Sequence, residues 1–242
     1  MRISEINEGK TIAIIPARRG SVGIPGKNYK LTDGQPLIEY TITEAIKSKL
    51  LDDIIVSTDC PEIIKICRAY GEQLNVLIRP PRLAQDDSKS EQLVAHACDV
   101  YIKTRTVIDK VVLLQPTSPV RSASQIDESL RLFDAAGKMS LISVTDPLQH
   151  PYDFVVEMDD DINFLCRRKR AFRRQDFDQT FFMNGSIYIT KYAFFKEKKK
   201  IYDLKSCVLY KMPIESSIDI DTPFDLELSE FVLRKMKERK NE

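Results

Sequence analysis

The sequence is poor in the side chains that carry several common kinds of enzyme chemistry. Its 242 residues include two histidines, His96 and His150, and no tryptophan. With so few imidazoles, zinc catalysis and a Ser-His-Asp triad are poorly supported. The five cysteines are scattered and form no CxxC pair. They indicate buried thiols in a reducing compartment, with neither a disulfide framework nor a zinc site.

The sequence also lacks long apolar runs and an excess of one charge. No apolar stretch approaches the roughly 20 residues that span a bilayer, and residues 1–10 lack the apolar segment of a signal peptide. Lysine and arginine number 37 against 36 aspartate and glutamate, whereas a nucleic-acid binder usually has a basic excess. We therefore expect a cytoplasmic protein with no membrane and no nucleic-acid partner.

Strand-like and helix-like segments alternate along most of the chain. Short apolar runs predict strands at 12–17, 53–58, 76–78, 110–115, 141–144, 184–190, 208–212 and 217–220. Amphipathic or capped segments predict helices at 36–49, 61–70, 91–103 and 122–136, and a last helix opening at 222–225. This alternation predicts an α/β fold with a mostly parallel, doubly wound sheet.

A basic, glycine-rich loop follows the first predicted strand. Residues 18–28 contain three glycines together with Arg18 and Lys27. The glycines match neither a P-loop nor G-x-G-x-x-G, but they let backbone N–H groups converge on an anion. The loop therefore predicts a triphosphate site, with a charged surface turn as the alternative.

Other polar residues share the edge of the sheet where this loop lies. Ligands of parallel α/β sheets bind outside the carboxyl ends of the strands, and Ser57 to Asp59, Arg79, Gln115 and Thr145 all follow predicted strands. The amide of Gln115 is both donor and acceptor, which suits a base edge or sugar hydroxyls.

Asp219 and Asp221 form a pair of carboxylates near the end of the chain. In a strand at 217–220, residues two apart would share one face, and paired carboxylates repel unless a cation lies between them. No lysine or arginine lies within residues 215–224, so we expect no local salt bridge. Since Mg²⁺ prefers carboxylates and phosphates, the pair predicts a metal site. The alternative is surface aspartates before a helix that Asp221 caps.

The regular pattern breaks between residues 146 and 180. This stretch is rich in charges, including the basic run 167–170, and most of them are explained by exposure to solvent. A segment of this length usually has a function. We predict a single domain, 1–242, in which 146–180 is an insertion that serves as a lid, as a loop for substrate (sugar) contacts or for dimerisation.

Four motifs resemble the acylneuraminate (sialic acid) cytidylyltransferase family. They are Arg18 to Asn28, similar to R-x-x-S-K-G-I-P-x-K-N; Arg79 to Ser90, similar to R-P-x-x-L-A-x-D-x-x-x-S; Leu114 to Arg121, similar to L-Q-P-T-S-P-L-R; and Ser217 to Thr222, the family's S-I-D-I-D-T. One position departs, because Val22 stands where the family has lysine. The resemblance covers the chain from Ile12 to about Leu233.

The resemblance implies a Rossmann-like nucleotidyltransferase that uses Mg²⁺ and forms a homodimer. It implies that CTP and a nine-carbon α-keto (nonulosonic) sugar acid give a CMP-sugar and pyrophosphate, for surface glycan (lipopolysaccharide or capsule) biosynthesis. The nucleotide contacts implied are Arg18, Ser21, Lys27, Asn28, Arg79, Ser90 and Gln115. The sugar contacts implied are Gln115, Arg174, Asn184 and Tyr188. Catalysis would depend on Arg18 and Lys27 at the phosphates and on Asp219 and Asp221 at the metal.

Two alternatives remain open from the sequence. One is a related enzyme that takes 3-deoxy-octulosonate, or GTP with an amino-sugar phosphate. The motifs favour the nonulosonate branch and do not choose among neuraminic, legionaminic and pseudaminic acid. The other is a catalytically weak nucleotide-binding module, which Val22 favours because an expected phosphate cation is missing.

Overall fold

The structure is a computed structural model that describes residues 9–21, 23–104, 106–158, 161–166 and 178–241. Val22 and Arg174, both singled out from the sequence, lie outside these residues. The strands are β1 (Lys10–Pro16), β2 (Leu31–Thr32), β3 (Gln35–Pro36), β4 (Asp53–Thr58), β5 (Asn75–Ile78), β6 (Ile108–Leu114), β7 (Ser140–Thr145), β8 (Val155–Met158), β9 (Asp161–Phe164), β10 (Phe182–Lys191) and β11 (Cys207–Lys211). The α-helices are α1 (Leu37–Lys47), α2 (Pro61–Arg68), α3 (Ser90–Tyr101), α4 (Ala123–Ala136), α5 (Tyr192–Lys198) and α6 (Pro223–Asn241).

Seven strands form the central sheet, in the order β5-β4-β1-β6-β10-β7-β11. All neighbours pair in parallel except β10, which is antiparallel to both β6 and β7. A parallel connection needs a crossover, usually an α-helix, whereas the described residues between β7 and β10 contain no α-helix and β10 runs in the opposite direction. The predicted, mostly parallel α/β sheet is confirmed.

Helices cover both faces of this sheet, as a doubly wound fold requires. Along β1, Ala13 and Ile15 face the core that α1, α2 and α4 complete. Ile12 and Ile14 face the opposite core, which α3 and α5 complete. Because both faces are buried, β1 is apolar from Ile12 to Pro16 and shows no alternation with polar residues there.

The strand predicted at 217–220 is wrong. A 3₁₀ helix spans Ile214–Ser217, and the chain then runs without regular structure into α6. The Ile220 N–H donates to the Thr117 carbonyl at 2.9 Å, and the Ile220 side chain packs in a small cluster with Ile24, Leu37 and Leu226. The alternation of isoleucine and aspartate therefore comes from this cluster, and not from a sheet.

The starts of two helices are confirmed in detail. Ser122 and Gln125 form the predicted capping box of α4, and Gly137 ends that helix at φ 61°. At the start of α6, the Asp225 N–H donates to Thr222 Oγ1 at 3.3 Å and the Thr222 N–H donates to Asp225 Oδ2 at 2.7 Å. Thr222 thus caps α6, so the capping alternative for Asp221 is not what the structure shows. Helix α5 was not predicted.

The described part of segment 146–180 contains a small hairpin. Strands β8 and β9 pair antiparallel and form a two-stranded sheet of their own. Val155, Ile162 and Phe164 on this hairpin are exposed apolar side chains. Among the described residues, no helix combines the length and apolar composition that crossing a bilayer requires.

Candidate active site

A cavity of about 300 Å³ opens at the carboxyl ends of β1, β5 and β6. The chain builds the sheet outward from β1 in both directions, toward β4 and β5 on one side and toward β6 on the other. Ligands of open α/β sheets bind at such a switch point. The cavity is lined by the loops that follow these strands and by Asp221.

All seven nucleotide contacts implied by the resemblance line this one cavity. They are Arg18, Ser21, Lys27, Asn28, Arg79, Ser90 and Gln115, joined by Asp221 from the implied metal pair. Asp219, Asn184 and Tyr188 are not among the lining residues. The structure thus brings together three motifs that are far apart in sequence, because each follows a different strand of the same sheet.

The glycine-rich loop is held in shape by its own backbone. Gly26 has φ 68° and precedes a 3₁₀ helix at Lys27–Tyr29, in which Lys27 and Asn28 are buried. The Asn28 Nδ2–H donates to the Arg18 carbonyl at 3.2 Å. A Cβ added to Gly23 would overlap the carbonyl oxygen of Asp221. Glycine is therefore required where the loop packs against the Asp219–Asp221 segment.

Lys27 joins the loop to this same segment. Its Nζ donates to the Ile220 carbonyl at 2.5 Å and to Asp221 Oδ1 at 3.1 Å. The sequence analysis expected no local salt bridge for the carboxylate pair, and the structure supplies a distant one to Asp221 instead. Lys27 and Asp221 are 194 residues apart.

Arg18 also has an acidic partner at the cavity. Its Nη1 donates to Asp86 Oδ1, and the carboxylate of Asp86 is largely exposed. Asp86 was missed by the sequence analysis, since a single acid in a polar loop has no periodic signal. Its position within the Arg79 to Ser90 motif was the available clue.

Arg79 is a buried cation with an unused donor. It is 5% exposed, its backbone N–H donates to the Thr58 carbonyl at 2.8 Å, and its Nη2 donates to the Ser57 carbonyl at 2.8 Å. Its Nε has no hydrogen-bond partner among the described residues. Burial lowers the pKa of Arg79 to about 10, with Asp59 acting in the opposite direction and the charge of Arg18 adding to the decrease. The guanidinium therefore remains charged at neutral pH.

The charges that line the cavity favour a polyanionic ligand. Arg18, Lys27, Arg79 and Lys89 carry four positive charges, against the carboxylates of Asp86 and Asp221. Clustered cations disfavour one another's charged form unless an anion is present. A triphosphate would supply that anion.

Asp219, Gly185 and Tyr188 form a second group of residues beside the cavity. A Cβ built on Gly185 would lie 3.5 Å from Asp219 Oδ2 and 4.0 Å from the Tyr188 hydroxyl oxygen, so the three converge. Partial burial raises the pKa of Asp219, a hydrogen bond from Thr117 opposes this, and the charge of Asp221 raises it further. Tyr188 stacks on Tyr202 with ring centroids 6.0 Å apart, and burial raises its pKa.

Asn184, an implied sugar contact, is engaged within the protein. Its Oδ1 accepts from the Ser143 hydroxyl at 2.6 Å, and its Nδ2 donates to Ser217 Oγ at 2.8 Å. It is buried. In this structure, Asn184 ties β7 and β10 to the 3₁₀ helix before Asp219 and does not present its amide to the cavity.

The donor set of Asp219 and Asp221 fits Mg²⁺ bound together with a nucleotide. Within the described residues no cluster of three or more acidic, histidine or cysteine side chains could hold a metal alone. Mg²⁺, however, usually takes one or two carboxylates and completes its shell with water and substrate phosphates. The charge of Asp221 helps to raise the pKa of Asp219, a repulsion that a cation would relieve.

The fold and the cavity define an α/β protein with a cation-lined ligand site at the switch point of its sheet. A family model described as Cytidylyltransferase matches residues 12–238. The chain belongs to this family, and the resemblance indicated by the motifs is confirmed.

Individual relatives refine this assignment. The chain is 32% identical over 233 residues to the N-acylneuraminate cytidylyltransferase of Escherichia coli. The aligned region covers 96% of this chain and 54% of that protein. It is 33% identical over 232 residues to the CMP-N,N'-diacetyllegionaminic acid synthase of Legionella pneumophila. That aligned region covers 91% of this chain and 95% of the Legionella protein. The chain therefore spans about half the length of the Escherichia coli relative and nearly all of the Legionella one.

Two solved structures share the fold. A CMP:2-keto-3-deoxy-manno-octonic acid synthetase complexed with CTP has a TM-score of 0.66 and 16% identity over 94% of this chain and all of that one. The 4-diphosphocytidyl-2C-methyl-D-erythritol synthase of Anaerococcus prevotii has a TM-score of 0.67 and 14% identity, covering 93% and 96%. At these identities the likeness is one of fold.

Proposed function

We propose that this chain transfers the cytidylyl group of CTP to a nonulosonic acid, giving a CMP-sugar and pyrophosphate. The observation that carries the proposal is the cavity at the switch point, which gathers Arg18, Lys27, Arg79 and Gln115 from three separate motifs. Family membership and the names of the relatives support CTP and a sialic-type acid. The product would be an activated sugar donor for surface glycan synthesis.

The protein's part in this reaction is to place the substrates and to balance their charge. The sugar hydroxyl oxygen attacks the α-phosphorus, the bond to the β-phosphate breaks, and pyrophosphate leaves. Arg18 and Lys27 bind the departing phosphates, and both must give up or share their bonds to Asp86 and Asp221 to do so. Electrostatic stabilisation of this kind is usually the largest contribution to phosphoryl-type transfers.

Arg79 and Gln115 also line the cavity, so the guanidinium and the amide would be further donors toward the nucleotide. The group near Gly185 and Tyr188, adjacent to Asp219, is where the sugar acid would lie. Asp219 and Asp221 would hold Mg²⁺, which when bound neutralises phosphate charge and lowers the pKa of a nearby hydroxyl.

Pyrophosphate release tests this function directly. The intact protein is mixed with CTP, Mg²⁺ and a panel of neuraminic, legionaminic and pseudaminic acids, with 3-deoxy-octulosonate and GTP as comparison substrates. We expect release with CTP and at least one nonulosonic acid. Arg18→Ala should reduce the rate about 10²–10³-fold, the usual loss for a preorganised charge at developing charge. Arg19→Ala is the matched control, because Arg19 does not line the cavity.

Release only with 3-deoxy-octulosonate or GTP would move the protein to a neighbouring branch. Tight CTP binding without release for any sugar would indicate a nucleotide-binding module. Equal, mild losses in Arg18→Ala and Arg19→Ala would count against the phosphate site.

We further propose that two copies associate through segment 146–180. The described hairpin exposes the side chains of Val155 and Ile162, with Ile162 73% exposed. Exposed apolar surfaces of this kind commonly mark protein–protein contacts.

A reducing location such as the cytoplasm is supported by the five cysteines, all of which are free thiols.

A further inference from the structure

Arg121 is a cation enclosed in the protein beside the candidate site. It lies in the loop between β6 and α4 and is 2% exposed. Its hydrogen bonds within the described part of the chain go to carbonyl and hydroxyl oxygens, and to no carboxylate. Burying a charge whose hydrogen bonds go only to neutral groups is costly, and the charge of Glu44 acts to raise the pKa of Arg121. A buried arginine in this position indicates a role for Arg121 other than packing.

The bonds of Arg121 connect three elements. Nη1 donates to the Ser186 carbonyl at 2.7 Å and to the Gln115 carbonyl at 3.3 Å, while Nη2 donates to Thr41 Oγ1 at 2.8 Å. Ser186 lies in β10, Gln115 follows β6, and Thr41 lies in α1. One planar group therefore fixes a strand, a loop and a helix relative to one another.

Two of these three partners border different parts of the candidate site. Gln115 lines the cavity. Ser186 follows Gly185, which borders Asp219 and the Tyr188 hydroxyl. Arg121 itself does not line the cavity, so any effect it has on the reaction passes through the main chain that it holds.

We infer that Arg121 is a positioning residue that sets the separation between the nucleotide side of the site, at Gln115, and the sugar side, at Gly185. This inference rests on the proposed function. A bimolecular transfer depends on alignment of its two substrates, and a displacement of about 1 Å can cost about 10²-fold in rate. The guanidinium suits this role because its donors form a rigid fork, whereas the single ammonium of lysine does not reproduce that geometry. Burial lowers the pKa of Arg121 to about 9, so the group stays charged at neutral pH.

The test compares Arg121→Lys with Thr41→Val. Arg121→Lys keeps the charge and loses the fork, whereas Thr41→Val breaks the bond to α1 and leaves both carbonyl bonds in place. We measure thermal unfolding, CTP binding without sugar, and kcat at saturation with both substrates. We expect both variants to unfold at lower temperature. Only Arg121→Lys should lose kcat, by about tenfold or more, with CTP binding within about twofold of wild type.

The controls separate alignment from stability. Equal kcat in Arg121→Lys and wild type would overturn the inference, and so would a kcat that falls in parallel with thermal stability in both variants. If Arg121→Lys does not fold, Arg121→Gln, which keeps a planar donor without the charge, is judged by the same two outcomes. Wild-type turnover is measured first, because an inactive wild type overturns the proposed function itself. An active wild type matched by an active Arg121→Lys overturns only the inference.

Discussion

Single residues show a cavity in which two of the four lining cations have acidic partners. Arg18 pairs with Asp86, and Lys27 pairs with Asp221. Under the proposed function, a triphosphate that enters must compete with these carboxylates for the same donors. The two pairs would then set part of the affinity for CTP.

The Arg18–Asp86 pair makes a prediction for CTP binding. Asp86→Asn should free Arg18 and lower the KM for CTP. Since an exposed ion pair is worth up to about 1 kcal/mol, the decrease should be at most about fivefold. Asp87→Asn is the matched control, because Asp87 is the next residue and does not line the cavity. A higher KM in Asp86→Asn alone would show that Asp86 contributes to binding.

The carboxylate pair makes a prediction for the metal. Asp219→Asn and Asp221→Asn should each reduce kcat by at least about tenfold and raise the Mg²⁺ concentration that gives half activity, because Asn supplies no charge to a hard cation. The free energy of unfolding should change little for Asp221→Asn, since Thr222 and Asp225 cap α6 without the Asp221 side chain. Titration of activity with Mg²⁺ and thermal unfolding measure the two effects. Normal activity of both variants at limiting Mg²⁺ would remove the pair from the metal site.

At the scale of larger elements, the contact between the glycine-rich loop and the chain before α6 holds two parts of the candidate site together. Gly23 touches the Asp221 backbone and Lys27 bonds to the Ile220 carbonyl. Ile24 and Ile220 share one apolar cluster. The glycine-rich loop and the Asp219–Asp221 segment therefore form one unit, although they lie near opposite ends of the sequence.

This contact predicts different effects for two glycines of one loop. Gly23→Ala places a methyl group against a backbone carbonyl that has little room to move, so Asp221 should shift and kcat should fall about tenfold or more. Gly20→Ala is the control, because the nearest atom to its Cβ is Arg18 Nη1 at 3.9 Å. Pyrophosphate release and thermal unfolding of both variants provide the measurement. Equal activities would mean that the loop and the segment do not need close contact.

For the molecule as a whole, the exposed hairpin predicts association. The intact chain should sediment as a dimer at micromolar concentration. Ile162→Asp should shift it toward a monomer, since a charge buried without a partner is strongly disfavoured. Leu204→Asp is the matched control, because Leu204 is similarly exposed, at 69%, and lies outside the hairpin. Monomeric wild type, or equal dissociation in the two variants, would contradict the role of the hairpin.

The sequence alone determined the class of fold and most of the phosphate site. Apolar periodicity and caps are local, so the strands of the main sheet and helices such as α4 were predicted to within a few residues. The motifs also identified Arg18, Lys27, Arg79 and Gln115, which share one cavity. The strand prediction at 217–220 was wrong because the alternating isoleucines have the period of a strand. Periodicity does not reveal the cluster that buries Ile220.

Only the tertiary structure decided which charges meet. Lys27 pairs with Asp221 across 194 residues, and Arg18 with Asp86 across 68. Arg121 reaches β10, 65 residues ahead, and α1, 80 residues behind. The antiparallel entry of β10 between β6 and β7 places Gly185 and Ser186 beside the loop of Gln115. Hydrogen bonds and ion pairs act over a few ångströms. Their partners are therefore chosen by how the sheet and helices pack, and not by distance along the chain.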